Sequence, residues 1–173
     1  MELVGTKCVL RPWRADDADS LVKHANNRKI WRNMCERFPH PYTAEKAKVW
    51  LEEPIHRAEP LTAFAIEVDG EAVGGTGFSI MDDVHRTTAR AGYWIAEPLW
   101  GKGIVTEAFS VLCDYLFATY SDVHRVEATV FEWNPASCRV LEKCGFTQEA
   151  RMRKNCIKDG EVIDVFLYAK VRE

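Results

Sequence analysis

This 173-residue chain has no C-x-x-C pair, no long apolar run, no repeat, no low-complexity tract and no excess of either charge. Its six cysteines, Cys8, Cys35, Cys113, Cys138, Cys144 and Cys156, lack the ligand spacing of a tetrahedral metal site. The five histidines, His24, His40, His56, His85 and His124, lack it too, so no metal role is expected. The thiols are expected to be free and mostly packed as small apolar residues. No apolar stretch approaches the ~20 residues of a membrane span. The opening segment, Met1 to Lys7, has no signal-peptide core, which predicts a cytoplasmic protein with no membrane partner. Lys plus Arg number 23 against 26 Asp plus Glu, a net charge of −3, so nothing global points to nucleic acid. With 47% hydrophobic residues, the chain reads as one domain over residues 1–173. A chain of that size buries roughly 70% of its unfolded surface and needs no staples.

The elements can be read from periodicity and punctuation. Lys7 to Leu10 predicts a first strand, ending at Arg11-Pro12. Ala15 to Asn26 has helical spacing, with Ala18, Leu21, Val22 and Ala25 on one face and Asp16, Asp17 and Asp19 in the first turn. A short helix is expected over Arg28 to Met34, and another is capped by Thr43 and stopped by Pro54. Thr62 to Val68 and Glu71 to Ile80 form a hairpin across Asp69-Gly70, and Thr87 to Ala96 a further strand. A long helix runs from Gly103 to about Thr119 on the apolar face Ile104, Val105, Ala108, Val111, Leu112, Tyr115 and Leu116. Arg125 to Phe131 alternates as a strand. Asn134-Pro135 opens a short helix closed by Gly145, and two last strands meet at Asp159-Gly160. Strands outnumber helices in the middle, so the fold class is α+β with a mixed, mostly antiparallel sheet rather than a doubly wound one.

The most informative segment joins the strand through Tyr93, Trp94 and Ile95 to the long helix through Trp100-Gly101-Lys102-Gly103-Ile104-Val105-Thr106. A glycine turn there places free backbone N–H groups beside the positive end of the helix dipole, a setting suited to a pyrophosphate. A P-loop requires G-x-x-x-x-G-K-[ST], which Gly101-Lys102-Gly103-Ile104 does not supply. A dinucleotide fingerprint requires a third glycine where Thr106 stands. The segment resembles the acetyl-CoA loop of the GNAT N-acetyltransferase superfamily, Gln/Arg-x-x-Gly-x-Gly/Ala, with Trp100 and Val105 departing from it. Its surroundings, Gly92 to Ala108, resemble the branch of ribosomal-protein N-terminal acetyltransferases, where Trp-Gly-x-Gly is common. Asn134-Pro-Ala-Ser137 followed by Val140-Leu-Glu-Lys-Cys-Gly-Phe146 is similar to a second signature of that family.

The resemblance implies a GNAT fold whose central strands splay into a V-shaped cleft. It implies acetyl-CoA as cosubstrate, with pantetheine along the backbone edge of Tyr93, Trp94 and Ile95. Pyrophosphate then lies on the amides of Gly101 to Thr106, and Asn134 bonds the pantetheine arm. In that branch the serine matching Ser137 lies near the CoA sulfur and protonates the thiolate. Asn134 also reads as a plain helix cap and Ser137 as an ordinary first-turn residue. The family's catalytic Glu falls on Cys156, which leaves Glu97 as the favoured base, with Glu127, Asp164 or a water chain as alternatives. The expected acceptor is a primary amine, either a protein N-terminus or a small molecule, shaped by Arg28 to Tyr42 and the last hairpin. The expected assembly is monomer or homodimer. A non-catalytic acyl-CoA-binding or regulatory module is the alternative reading.

Overall fold

The computed structural model describes residues 1–173. Eight strands form one sheet in the order β1-β2-β3-β4-β5-β6-β8-β7. They are β1 (Leu3–Val4), β2 (Val9–Arg11), β3 (Ala63–Val68), β4 (Glu71–Ile80), β5 (Thr88–Ile95), β6 (Arg125–Phe131), β7 (Thr147–Lys158) and β8 (Glu161–Val171). Five α-helices accompany them: α1 (Ala18–Ala25), α2 (Arg28–Trp31), α3 (Ala44–Glu52), α4 (Ile104–Thr119) and α5 (Pro135–Lys143). All neighbouring strands pair antiparallel except β5 and β6. The expected α+β architecture is the one observed. No helix is long and apolar enough to cross a membrane.

The two sheet faces carry different cores. On one, α4 lays Ile104, Ala108, Phe109, Leu112 and Leu116 against Phe64, Ile66, Val126 and Val130, all buried. On the other, α1 and α3 cover Ala65 and Ala72 with Leu21, Ala25, Ala47 and Leu51, joined by Trp13 and Tyr42. Burial on both faces explains why β3 reads as a nearly continuous apolar run rather than an alternating one. Gly75 in β4 is required by that second core. A Cβ there would lie 2.8 Å from the Trp94 indole nitrogen and 3.1 Å from Trp13. The buried Arg11 guanidinium ties the sheet to the start of α1, reaching Asp17 through two bonds of 2.7 and 2.8 Å and also pairing with Glu67.

Three elements begin or end two or more residues from the sequence expectation. The strand expected over Lys7 to Leu10 is Val9–Arg11, and it pairs with β1, which is too short to leave a periodic signal. The helix expected from Ala15 begins as a 3-10 turn over Ala15–Asp17, because Asp17 accepts from the Arg14 amide and pairs with Arg11. The helix expected to reach Met34 ends at Trp31.

The splay at the centre of the sheet positions the site. β5 and β6 pair only over Thr88↔Arg125, Ala89↔Val126 and Arg90↔Glu127. Beyond that point β5 continues against β4 as far as Ile95, and β6 against β8 as far as Phe131. The two strands therefore diverge and leave a cleft between them.

Candidate active site

Along the cleft the facing edges of β5 and β6 no longer pair with each other. The Ala96 amide donates to Val73 of β4 at 2.8 Å, and strand alternation then points the groups of Trp94 to β4 and those of Tyr93 and Ile95 into the cleft. Of the three edge residues expected to meet a cofactor, Trp94 thus offers the cleft no backbone group. Its indole lies on the α1–α3 side instead, edge-on to Phe38 with ring centroids 5.6 Å apart. The Trp100 indole nitrogen donates to the Ile95 carbonyl at 2.9 Å, pinning the glycine turn to the strand end. What remains open along β5 is the amide and carbonyl of Tyr93 and the amide of Ile95. That is the pattern an extended amide-bearing chain needs in order to add itself as a strand.

The turn below leaves a run of backbone donors unpaired. Gly101 and Gly103 hold φ of +76° and +75°, a conformation that costs a side-chain-bearing residue roughly 1–2 kcal/mol. None of the six backbone N–H groups from Gly101 to Thr106 donates to another group of the protein. The last three of these also lie in the first turn of α4, at the positive end of its dipole. Val105 sits within the helix and is half-buried against the α4 core, so its bulk does not enter the turn.

A cation stands at this turn that the sequence reading missed. Lys7 Nζ donates to the Lys102 carbonyl at 3.0 Å and lies 2.9 Å from where a Gly103 Cβ would be. Glu107 holds Lys7 there. Its carboxylate accepts from the Thr6 amide at 2.9 Å, the Thr6 hydroxyl at 2.5 Å and the Lys7 amide at 2.7 Å. Partial burial pushes the Glu107 pKa up, but these bonds outweigh it and leave the carboxylate below its ordinary range. Its charge is thus absorbed by the β1–β2 turn instead of facing the open amides. Nothing in the sequence marks this contact, because it joins residues 100 positions apart.

Across the cleft, α5 begins as expected. The Asn134 side-chain oxygen accepts from the Ser137 amide at 3.3 Å, so the cap reading holds, and the other side-chain atom of that amide, Nδ2, makes no bond within the protein. Ser137 Oγ lies 2.7 Å from the Tyr93 hydroxyl. The sequence treated these two residues separately, and the structure brings them together.

The carboxylates considered as bases are all engaged. Glu97, in a 3-10 turn after β5, is bonded by Lys29 Nζ and by Asn27 Nδ2 at 2.8 Å. The lysine first and the asparagine second hold its pKa below the ordinary carboxylate value. Glu127 accepts from Arg125 at 2.8 Å and faces Arg90 at 3.7 Å. Asp164 accepts from the Lys154 amide at 2.8 Å and from Arg151 at 2.6 Å, and both lower its pKa. Cys156 is half-buried on β7, with its thiol pKa raised by burial. Burial also pushes the thiols of Cys8 and Cys113 up to about 12 and that of Cys144 to about 11, which removes them as nucleophiles at neutral pH.

The segment expected to shape the acceptor pocket does reach the last hairpin. Arg28 pairs with Asp159 at 2.7 Å, and the buried Lys158 ammonium lies 3.7 Å from the Trp31 ring centroid and 3.1 Å from Glu36. Arg32 stacks on Trp133 at 4.1 Å, and the Trp133 indole donates to Asn33 at 3.1 Å. The basic, aromatic segment through α2 is thereby clasped to the end of β7, the turn at Asp159 and the β6–α5 loop.

Comparison with known proteins gives this geometry a context. Residues 7–147 match the family described as acetyltransferase (GNAT) domain. The probable N-acetyltransferase YjcK of Bacillus subtilis is 31% identical over 164 residues, covering 91% of this chain and 90% of that one. The structure of Mycobacterium smegmatis RimJ in complex with CoA-disulfide superposes with a TM-score of 0.82 at 27% identity, over 95% of this chain and 81% of that chain. RimL, a ribosomal-protein alpha-N-acetyltransferase solved in complex with coenzyme A, gives a TM-score of 0.84 at 22% identity, over 99% and 98%.

Proposed function

This chain belongs to the GNAT acetyltransferase family, and from that premise we propose that it acetylates α-amines, taking the acetyl group of acetyl-CoA by direct attack in a ternary complex. Acetyl-CoA is the cosubstrate and the chain is an N-acetyltransferase; the acceptor and the residue roles are our reading. The observation that carries it is the run of six unpartnered amides from Gly101 to Thr106, continuous with the open backbone edge of Tyr93 and Ile95. Pantetheine is thin and carries two amides, so it pairs along that edge, and the pyrophosphate meets Gly101, Lys102, Gly103, Ile104, Val105 and Thr106. Lys7 supplies the positive side chain that Trp100 does not, while Trp100 braces the loop against Ile95. Asn134 caps α5 and has its side-chain amide free for the pantetheine arm.

Chemistry narrows the acceptor. Acyl transfer from a thioester needs a neutral amine, alignment, and help for the leaving sulfur. Glu97 and Asp164 are held by cations that lower their pKa, and Glu127 is ion-paired with Arg125, so no free carboxylate stands out as the base. Glu97 instead anchors α2 to the end of β5. An α-amine of pKa about 7.7–8.0 reaches its neutral form through solvent alone, whereas a lysine amine at about 10.4 does not. The amine nitrogen then attacks the thioester carbonyl, the C–S bond breaks, and Ser137 donates to the departing thiolate. Peptide N-termini satisfy this requirement better than free amino acids, whose own carboxylate raises the amine pKa, and the likeness to ribosomal-protein acetyltransferases favours them too.

A peptide bearing one free α-amine and one lysine, offered with acetyl-CoA, tests the proposal. Acetylation at the N-terminus, located by fragmentation mass spectrometry, is the expected result. Acetylation confined to the lysine would overturn it.

A further inference from the structure

We infer that the Tyr93 hydroxyl orients Ser137 as the donor to the departing sulfur, which makes Tyr93 a positioning residue for acetyl transfer. The inference rests on the proposed role of Ser137 and deepens it. Tyr93 lies on β5 beyond the point where β6 stops pairing with it, and its ring packs edge-on against Phe109 with centroids 4.7 Å apart. Its hydroxyl meets Ser137 and nothing else: Oγ at 2.7 Å and the carbonyl oxygen at 3.3 Å. This contact spans the mouth of the splay, joining β5 to the first turn of α5.

A tyrosine hydroxyl carries one proton, and Oγ is the nearer acceptor. Burial raises the Tyr93 pKa, so the phenol keeps that proton and stands as a fixed donor. With Tyr93 donating to Oγ, the proton of Ser137 must point away from the ring. A first-turn serine otherwise turns its hydroxyl back to a carbonyl three or four residues earlier, which here is Asn134 at the cap. Tyr93 opposes that rotamer. It also stabilises the negative charge that gathers on Oγ as the serine proton moves, since hydrogen bonds to charged groups are the stronger ones.

The step balances without any further reagent. The acceptor nitrogen forms the new C–N bond, the C–S pair goes to sulfur, and the Ser137 proton follows it. The proton lost by the attacking amine restores Ser137 through solvent, so the products are the neutral amide and CoA thiol. Tyr93 begins and ends protonated.

A double-mutant cycle on kcat decides the matter. Tyr93→Phe keeps the packing against Phe109 and should lower kcat roughly three- to tenfold, the worth of one hydrogen bond to an oxygen that gains only partial charge, with KM for acetyl-CoA unchanged. In a Ser137→Ala background the same change should cost nothing further. A thermal melt on each variant confirms folding. An equal loss from Tyr93→Phe in both backgrounds would reduce Tyr93 to a structural role and overturn the inference, as would full activity of Tyr93→Phe with Ser137 present. Full activity of Ser137→Ala would instead remove the role proposed for Ser137, and the inference with it. The two failures are therefore distinguishable.

Discussion

Replacing Gly103 by Asp puts a carboxylate where the cofactor's pyrophosphate is proposed to lie. The backbone there has φ of +75°, and the only atom within 4 Å of the new Cβ is Lys7 Nζ at 2.9 Å. That ammonium ends a flexible side chain and can move, and Asp tolerates left-handed backbone better than most residues, so the stability cost stays near ~1 kcal/mol. Binding suffers more. One added charge about 5 Å from a phosphate, at an effective dielectric of about 20, repels by about 3 kcal/mol, or roughly a hundredfold in affinity. The new carboxylate also pairs with Lys7 and withdraws it from the phosphate. Calorimetric titration with CoA beside a thermal melt measures both effects, and a CoA fragment ending at pantetheine serves as a control that carries no pyrophosphate. A folded variant with unchanged CoA affinity would refute the loop assignment, and so would an equal loss for the pantetheine fragment.

Lys7→Met should weaken acetyl-CoA roughly tenfold at low salt, with Lys7→Arg restoring most of it and the difference shrinking as salt is raised; titration at two ionic strengths is the check. Glu97→Gln should leave the pH dependence of kcat/KM in place, rising through about 7.7–8.0 with the acceptor amine, and should raise the acceptor KM by loosening α2; loss of that pH dependence would make Glu97 the base. His56 is buried between Trp50 and Trp13 with no partner for either ring nitrogen, and burial lowers its pKa. Above pH ~6.5 both folded and unfolded forms are neutral; below it only the unfolded form takes the proton, so stability falls by up to ~1.4 kcal/mol per pH unit until the folded pKa is reached. His56→Phe should flatten that part of a melting profile taken between pH 7 and pH 5.

Much of the fold was legible because its signals are local. Asp69-Gly70 and Asp159-Gly160 both take the positive φ values of a two-residue hairpin, at 51° and 82° and at 53° and 78°. Asn134 caps α5, Thr43 caps α3, and Arg125 to Phe131 is a strand as read from its alternation. The glycine turn likewise announces itself in sequence, since only unusual backbone needs Gly101 and Gly103 together. What stayed hidden depends on contacts between distant residues. Lys7 reaches the turn because Glu107 holds the β1–β2 loop, and Tyr93 reaches Ser137 because α5 returns beside β5. The engagement of Glu97 by Lys29 is equally invisible in the sequence, where a lone carboxylate beside a cofactor strand reads as a base. The bulges of β7, with Lys154 at φ of 51°, carry no composition signal either.

The most direct test of direct transfer is a single turnover of acetyl-CoA, with and without an α-amine acceptor, followed by intact-protein mass and thiol release. CoA should appear only when the amine is present, in step with the acetylated product, while the protein mass does not change. A burst of CoA without the amine, with one acetyl group retained on the protein, would contradict the ternary-complex account and implicate a nucleophile such as Cys138 or Cys35 in its place.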